Sequence, residues 1–177
     1  MATPLFVCYA NCCRSVLASF LYRQLDADSP ALSAGLTVGD CISDRALGML
    51  RLWGIEASEH CPRQLDRALC DRADAIFVMA PAHLRRLLAD YGADLAGKTY
   101  LFGDPFRRPQ SFLRGDYKVR DPSFDERPVE ELVSEFLWMR ERVRQIRLAL
   151  RGEGEGEALI PASEYLPLIQ AVDPDDV

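Results

Sequence analysis

No apolar run in this sequence approaches the roughly 18 residues that a membrane-spanning helix needs. Met1–Ala10 has neither the basic start nor the long apolar stretch of a secretory signal. An excess of basic charge is absent as well. The net charge is −6, which argues against a nucleic-acid-binding face. There is no internal repeat, so a stacked-repeat architecture is excluded. Six cysteines in 177 residues, two of them adjacent at Cys12 and Cys13, do not form a disulfide framework. These absences lead to the expectation of a cytoplasmic protein with reduced thiols, partnering neither membrane nor nucleic acid.

What is present divides the chain in two. Residues 1–150 carry 20 basic and 20 acidic side chains, whereas from Arg151 onward seven acids face one arginine. The expectation is one domain over 1–150 and an acidic extension over 151–177, opened by 152-GEGEGE-157. That extension is either flexible or docked through Leu159-Ile160 and Tyr165–Ile169, and it is a candidate for recruiting a partner.

Within the domain, short apolar runs at Pro4–Tyr9, Ala31–Leu36, Asp74–Ala80 and Thr99–Phe102 read as strands. Ser15–Leu25, Asp44–Trp53, Pro81–Tyr91 and the stretch from Pro128 to Leu150 repeat apolar residues at helical spacing. The last of these shows Val129, Leu132, Val133, Phe136, Val143, Ile146 and Leu150, with Pro128 suited to the first helical position. Alternating strands and helices predict an α/β fold with a parallel sheet covered on both faces. Trp53 and Trp138 fall on the helical apolar patterns and are expected in the core, and His83 at the surface. The Pro- and Arg-rich stretch Gly103–Arg127 is long for a connection, and such loops tend to be functional or mobile. Its Arg107, Arg108 and Arg114 either attract an anionic substrate or form a solvated face.

The chemistry is concentrated in 5-LFVCYANCCRSVLASF-20. The pattern Cys8-x5-Arg14 means little alone, and a second copy runs from Cys61 to Arg67. Context separates them: Cys8 ends an apolar strand and Arg14 begins a helix, while Cys61 has no strand leading into it. The N–H groups of a strand-to-helix loop converge above the helix N-terminus, where the helix dipole favours an anion. Arg14 can grip two oxygens of a phosphate held there. The same field favours a thiolate and makes Cys8 nucleophilic, with Ser15 placed to donate to it. A nucleotide-binding P-loop is excluded, since this loop contains neither Gly nor Lys.

The loop 6-FVCYANCCRS-15 resembles the Cys-x-Gly-Asn-x-Cys-Arg-Ser loop of the low-molecular-weight protein tyrosine phosphatases. Further along, 33-SAG-35, 45-RALGMLRLWGIEASEH-60, 63-RQL-65, 74-DAIFVM-79 and 121-DP-122 resemble family segments in the same order, over about 150 residues. The resemblance implies a three-layer α/β/α fold with a four-stranded parallel sheet and the phosphate loop between strand 1 and helix 1. It also implies hydrolysis of phosphomonoesters without metal or cofactor, through a cysteinyl-phosphate intermediate. Cys8, Arg14 and Asp121 are then the catalytic residues. Tyr9, Ala10, Asn11, Cys12, Cys13, Ser15 and Phe124 contact phosphate or substrate, and Ser33 and His60 support the loop, His60 by bonding Asn11. The substrate is a phosphorylated protein or a small aryl phosphate, with phosphotyrosine as the default. Phosphoarginine, used by relatives with Thr where Cys12 stands, is the variant.

A carboxylic acid that protonates the leaving group speeds its expulsion, and two Asp-Pro pairs are available. Asp121-Pro122 lies a short loop ahead of the last helix, where the family places its acid; Asp104-Pro105 is the competitor, and either can simply start a turn. Three departures bear on activity. Ala10 replaces the loop glycine, costing about 1 kcal/mol or more if the position needs positive φ. Val16 replaces a proline within the first helical turn, a change expected to be tolerated. Ser123 replaces one of two aromatics after Asp121-Pro122, and Tyr9 is placed to compensate. Cys13 matches the family's second loop cysteine, which can pair reversibly with the nucleophile, and Cys12 can compete for that pairing. A zinc site from Cys8, Cys12, Cys13, His60 and Cys61 lacks the usual ligand spacing, and Arg14 would repel the ion. Two rival functions remain: a thiol-dependent arsenate reductase, whose two further cysteines are missing from 78-VMAPAH-83, and a low-turnover phosphate-binding module.

Overall fold

The sheet is organised around β1, Pro4–Cys8, whose five residues are all buried. The computed structural model describes residues 2–107, 118–122, 127–153 and 158–170. β1 is flanked by β2 (Leu32–Gly35) and β3 (Ala75–Val78), with β4 (Thr99–Leu101) outside β3, in the order β2-β1-β3-β4. All three pairings are parallel, and Cys8 stands opposite Gly35. Side chains alternate across a strand. Phe6 and Cys8 therefore enter one apolar layer, and Leu5 and Val7 the other.

The Phe6 layer is closed by α1 (Arg14–Leu25), α2 (Asp44–Leu52) and α5 (Val129–Arg151), through Leu17, Leu21, Leu50, Phe136, Val143 and Ile146. Phe6 stacks on Phe77 at 5.6 Å, and Phe77 on Tyr100 at 5.3 Å. The Leu5 layer is closed by α3 (Arg67–Arg72) and α4 (Pro81–Tyr91), through Leu69, Leu84 and Leu87. The result is the expected α/β/α arrangement of three layers around four parallel strands.

Local chemistry sets the helix starts. Ser43 Oγ accepts from Ala46 N at 3.3 Å to cap α2, Asp66 caps α3 through Leu69 N at 2.6 Å, and α4 carries a proline in its first turn. At the far end of α1, buried Asp26 receives Arg151 Nη2 at 2.5 Å, which fastens the end of α5 to α1.

Several expectations need correction. The buried face of α5 is Leu132, Phe136, Met139, Val143 and Ile146, while Val129 and Val133 point to solvent. Trp138 is 39% exposed, because its ring lies edge-on against Phe102 at the rim of the core instead of inside it. Trp53 is half-buried, tilted onto Phe136. His83 is buried, not surface: it stands one turn before Leu87 on α4 and so shares the inward face.

Beyond α5, Ile160 N donates to Pro105 O at 2.8 Å, and Ala162, Tyr165 and Ile169 join the Leu5 layer. These residues form a 3₁₀ turn (Ala162–Tyr165) and α6 (Leu166–Gln170). The rest of the acidic extension, 154–157 and 171–177, lies outside the described residues. Among the described residues no helix is long and apolar enough to cross a membrane.

From β1 the chain moves out to β2, then crosses back past β1 to β3. The carboxyl end of β1 therefore faces the crevice where strand order reverses, which is where ligands bind in open parallel sheets.

Candidate active site

The loop 9–13 joins β1 to α1 at that crevice, and its peptides share one orientation. The carbonyl of Cys8 accepts from Leu36 N (3.1 Å), that of Tyr9 from Thr37 N (2.9 Å) and that of Ala10 from Gly39 N (3.0 Å). Asn11 O faces His60 Nε2 at 3.1 Å, Cys12 O accepts from Ser43 N (2.9 Å) and Cys13 O from Leu17 N (2.8 Å). All six carbonyls point away from the loop's interior. Peptides here are trans, so each N–H opposes its carbonyl and the amides from Tyr9 to Arg14 turn inward. Cys13 provides no side-chain cap for α1, and the first turn of α1 holds no acid. This is an anion cradle built from backbone.

Asn11 is the keystone. It is fully buried and the one non-glycine residue with positive φ (55°) among the described residues. Its Nδ2 donates to Ser15 Oγ at 2.9 Å, and its Oδ1 accepts from Arg63 N at 2.9 Å. Ser15 Oγ in turn lies 3.0 Å from Cys8 Sγ. Since a carbonyl can only accept, His60 Nε2 carries the proton facing Asn11 O. Burial holds the His60 imidazole below its ordinary pKa. Ala10 does not take positive φ, so replacing the expected glycine costs nothing there. The close approach falls on Gly35, where a Cβ would come within 2.8 Å of Asn11 N.

Arg14, 5% exposed, reaches out of the loop to a second segment. Its Nη1 donates to Val119 O at 3.1 Å and its Nη2 to Asp121 Oδ2 at 2.6 Å. Its Nε is buried and has no partner among the described residues. Val119 N is held by Met79 O at 2.9 Å, beyond the end of β3. The guanidinium that closes the thiol loop and one carboxylate thus meet, although 107 positions separate Arg14 from Asp121.

A family model, low molecular weight phosphotyrosine protein phosphatase, matches residues 4–150. The chain belongs to this family. Its activity is cysteine-dependent phosphomonoester hydrolysis. One similar protein is the low molecular weight protein-tyrosine-phosphatase Wzb of Escherichia coli K12, 30% identical over 130 residues, covering 67% of this chain and 88% of Wzb. Vibrio vulnificus Wzb, solved in complex with benzylphosphonate, superposes with a TM-score of 0.66 at 24% identity, covering 81% of this chain and 94% of that one. The YwlE arginine phosphatase from Geobacillus stearothermophilus gives 0.72 at 23%, covering 86% and 94%. At those identities the two structures establish the fold alone. The curated relatives are phosphatases, and the arsenate-reductase alternative is not favoured. Cys70, buried on α3 ahead of β3, has its thiol pushed up to about 11 by burial.

The remaining expected residues sort cleanly. Tyr9 is 53% exposed at the mouth of the cradle. Cys13 is buried; Cys12 donates to Ala10 O at 3.4 Å, and burial, then Cys8 and Cys41, raise its pKa. Ser33 lies on β2 opposite Phe6 and makes no side-chain hydrogen bond among the described residues. Phe124, Ser123, Arg108 and Arg114 fall outside the described residues. Asp104 is engaged elsewhere, accepting from Phe106 N at 3.2 Å and lying 3.9 Å from Arg142. The duplicate motif is structural at its arginine end, since Arg67 is bound by Asp71, Asp94 and Tyr91 O.

Two contributors escaped the sequence. Val119 acts through its backbone, which no pattern announces. His83 is 7% exposed, with Nδ1 buried and unpartnered among the described residues. Burial first, then the charge of Arg14, pushes its pKa down to about 3.

Proposed function

We propose that this chain hydrolyses phosphotyrosine, with Cys8 as nucleophile, Arg14 and the amides of Tyr9–Ser15 as the phosphate cradle, and Asp121 as the acid. The observation that carries this reading is the Arg14–Asp121 contact at 2.6 Å, which joins the thiol loop to the one Asp-Pro carboxylate beside it. An entering phosphate takes hydrogens of Arg14, including the unpartnered Nε–H, and so competes with Asp121 for the guanidinium. Cys8 sulfur bonds to phosphorus as the phosphorus–oxygen bond to the leaving group breaks. Asp121 passes its proton to that oxygen. Water then attacks the phosphocysteine, Asp121 takes the water's proton, and the sulfur–phosphorus bond breaks to release phosphate and the Cys8 thiolate. Inward amides meet the equatorial oxygens throughout, where charge builds in the transition state.

The aryl preference rests on Tyr9 and Val38, exposed by 53% and 54%. The Thr37 N–Tyr9 O hydrogen bond sets the two segments side by side, giving a phenyl ring an apolar wall. The Wzb relative named a protein-tyrosine-phosphatase agrees with this choice. The low-turnover module loses one of its motives, because Ala10 sits in ordinary backbone geometry. The test compares hydrolysis of phosphotyrosine, phosphoserine and phosphoarginine by wild type and Asp121→Ala. Wild type is expected to prefer phosphotyrosine, and Asp121→Ala to lose about 10²-fold or more in turnover. Equal rates on all three, or an unaffected Asp121→Ala, overturn the assignment.

A further inference from the structure

We infer that Arg45 is a positioning residue for Asp121, holding the acid loop in register with the phosphate cradle during turnover. The inference rests on Asp121 being the acid. Arg45 lies in the first turn of α2, and its Nη1 donates to Pro122 O at 3.1 Å across 77 positions of sequence. The near end of this strut is fixed to the cradle itself. Ser43, the α2 cap, donates its N–H to Cys12 O at 2.9 Å, while its Oγ accepts from Ala46 N. Any displacement of α2 relative to Cys12 would break the bond from the Ser43 N–H. The far end grips the carbonyl directly after Asp121.

Three other fastenings of this segment differ from it in place or in fate. Val119 N to Met79 O and Arg14 Nη1 to Val119 O both hold the chain ahead of Asp121. The direct Arg14–Asp121 contact is shared with phosphate once substrate enters. Arg45, by contrast, acts on the carboxyl side of the acid through a bond that phosphate does not contest. Proton transfer needs the carboxyl within hydrogen-bond reach of the leaving oxygen, and misplacement by about 1 Å can cost 10²-fold. Proline at 122 stiffens the link between the gripped carbonyl and Asp121, because its φ is locked.

The test uses full-length protein and aryl phosphates whose leaving groups range from dinitrophenol, which needs little protonation, to phenol, which needs much. Wild type, Arg45→Ala, Arg45→Lys, Asp121→Ala and the double variant Arg45→Ala/Asp121→Ala are compared by kcat/KM, with thermal midpoints recorded for each. Arg45→Ala is expected to lose about tenfold on phenyl phosphate and little on dinitrophenyl phosphate. Arg45→Lys, which keeps one donor, recovers part of the loss. In the Asp121→Ala background, removing Arg45 costs nothing further, since the group it positions is gone. A loss equal across leaving groups, or additive in the double variant, overturns the inference. If Asp121→Ala is itself insensitive to the leaving group, the acid assignment fails and the inference falls with it. If Asp121→Ala is sensitive and Arg45→Ala is not, the inference alone fails.

Discussion

Replacing Asn11 by alanine tests how the cradle is held, and the cost can be worked from its contacts. The side chain is fully buried and makes two hydrogen bonds, to Ser15 Oγ and from Arg63 N. Alanine leaves Arg63 N–H without that acceptor and Ser15 Oγ without that donor, at about 1–1.5 kcal/mol each. It also places a Cβ at φ 55°, which costs about 1–2 kcal/mol for a residue that lacks asparagine's local hydrogen bonding. The expected total is about 3–5 kcal/mol, a large part of the 5–15 kcal/mol typical of a domain. Urea unfolding measures it. Asn11→Gly loses the same bonds without the backbone strain, so it should lie about 1 kcal/mol above alanine. Both variants should also lose turnover, because Ser15 loses the donor that fixes it against Cys8. An Asn11→Ala protein within about 1 kcal/mol of wild type would refute this account of the loop.

Two further outcomes are expected. His83 is buried beside Arg14, Asp121 and Lys118 with its pKa down at about 3, whereas the unfolded chain takes a proton there near 6.5. Between those values the unfolded state binds more protons, so stability rises with pH and is lost as the pH falls. The loss is about 2 kcal/mol at pH 5 relative to pH 8. His60, also lowered by burial, adds in the same direction, and His83→Gln should flatten the slope of stability against pH. A parallel slope refutes it. Tyr165, 4% exposed against the α4 layer, should cost about 3 kcal/mol on replacement by alanine, with kcat unchanged in the folded enzyme. An unchanged unfolding midpoint would show that residues 162–170 do not support the domain.

The cradle was legible because its parts are contiguous. A strand end, a thiol, an arginine and a helix start fall within eight positions, and their chemistry follows from local geometry. The four strands stood out as continuous apolar runs and the four long helices by their periodicity, both of them local signals. α3 and the 3₁₀ turn Ala93–Lys98 are six residues each, too short to show a period. What joins the loop to the acid segment was hidden, because Val119, Met79 and Pro122 contribute backbone groups common to nearly any residue. His83 opens α4, where a polar residue reads as surface, yet it shares the inward face of that helix with Leu84 and Leu87. Trp138 shows the converse: an aromatic on an apolar pattern can finish at the edge of the core, with Arg142 over its ring.

The central claim is that Cys8 sulfur receives the phosphoryl group. Rapid acid quench during hydrolysis of an aryl phosphate, followed by peptide mapping by mass spectrometry, tests it most directly. One phosphate is expected on the peptide containing Cys8, at sulfur, and none in Cys8→Ser. Steady hydrolysis with no phosphoprotein at any quench time and undiminished by Cys8→Ser, or phosphate on another residue, would contradict it.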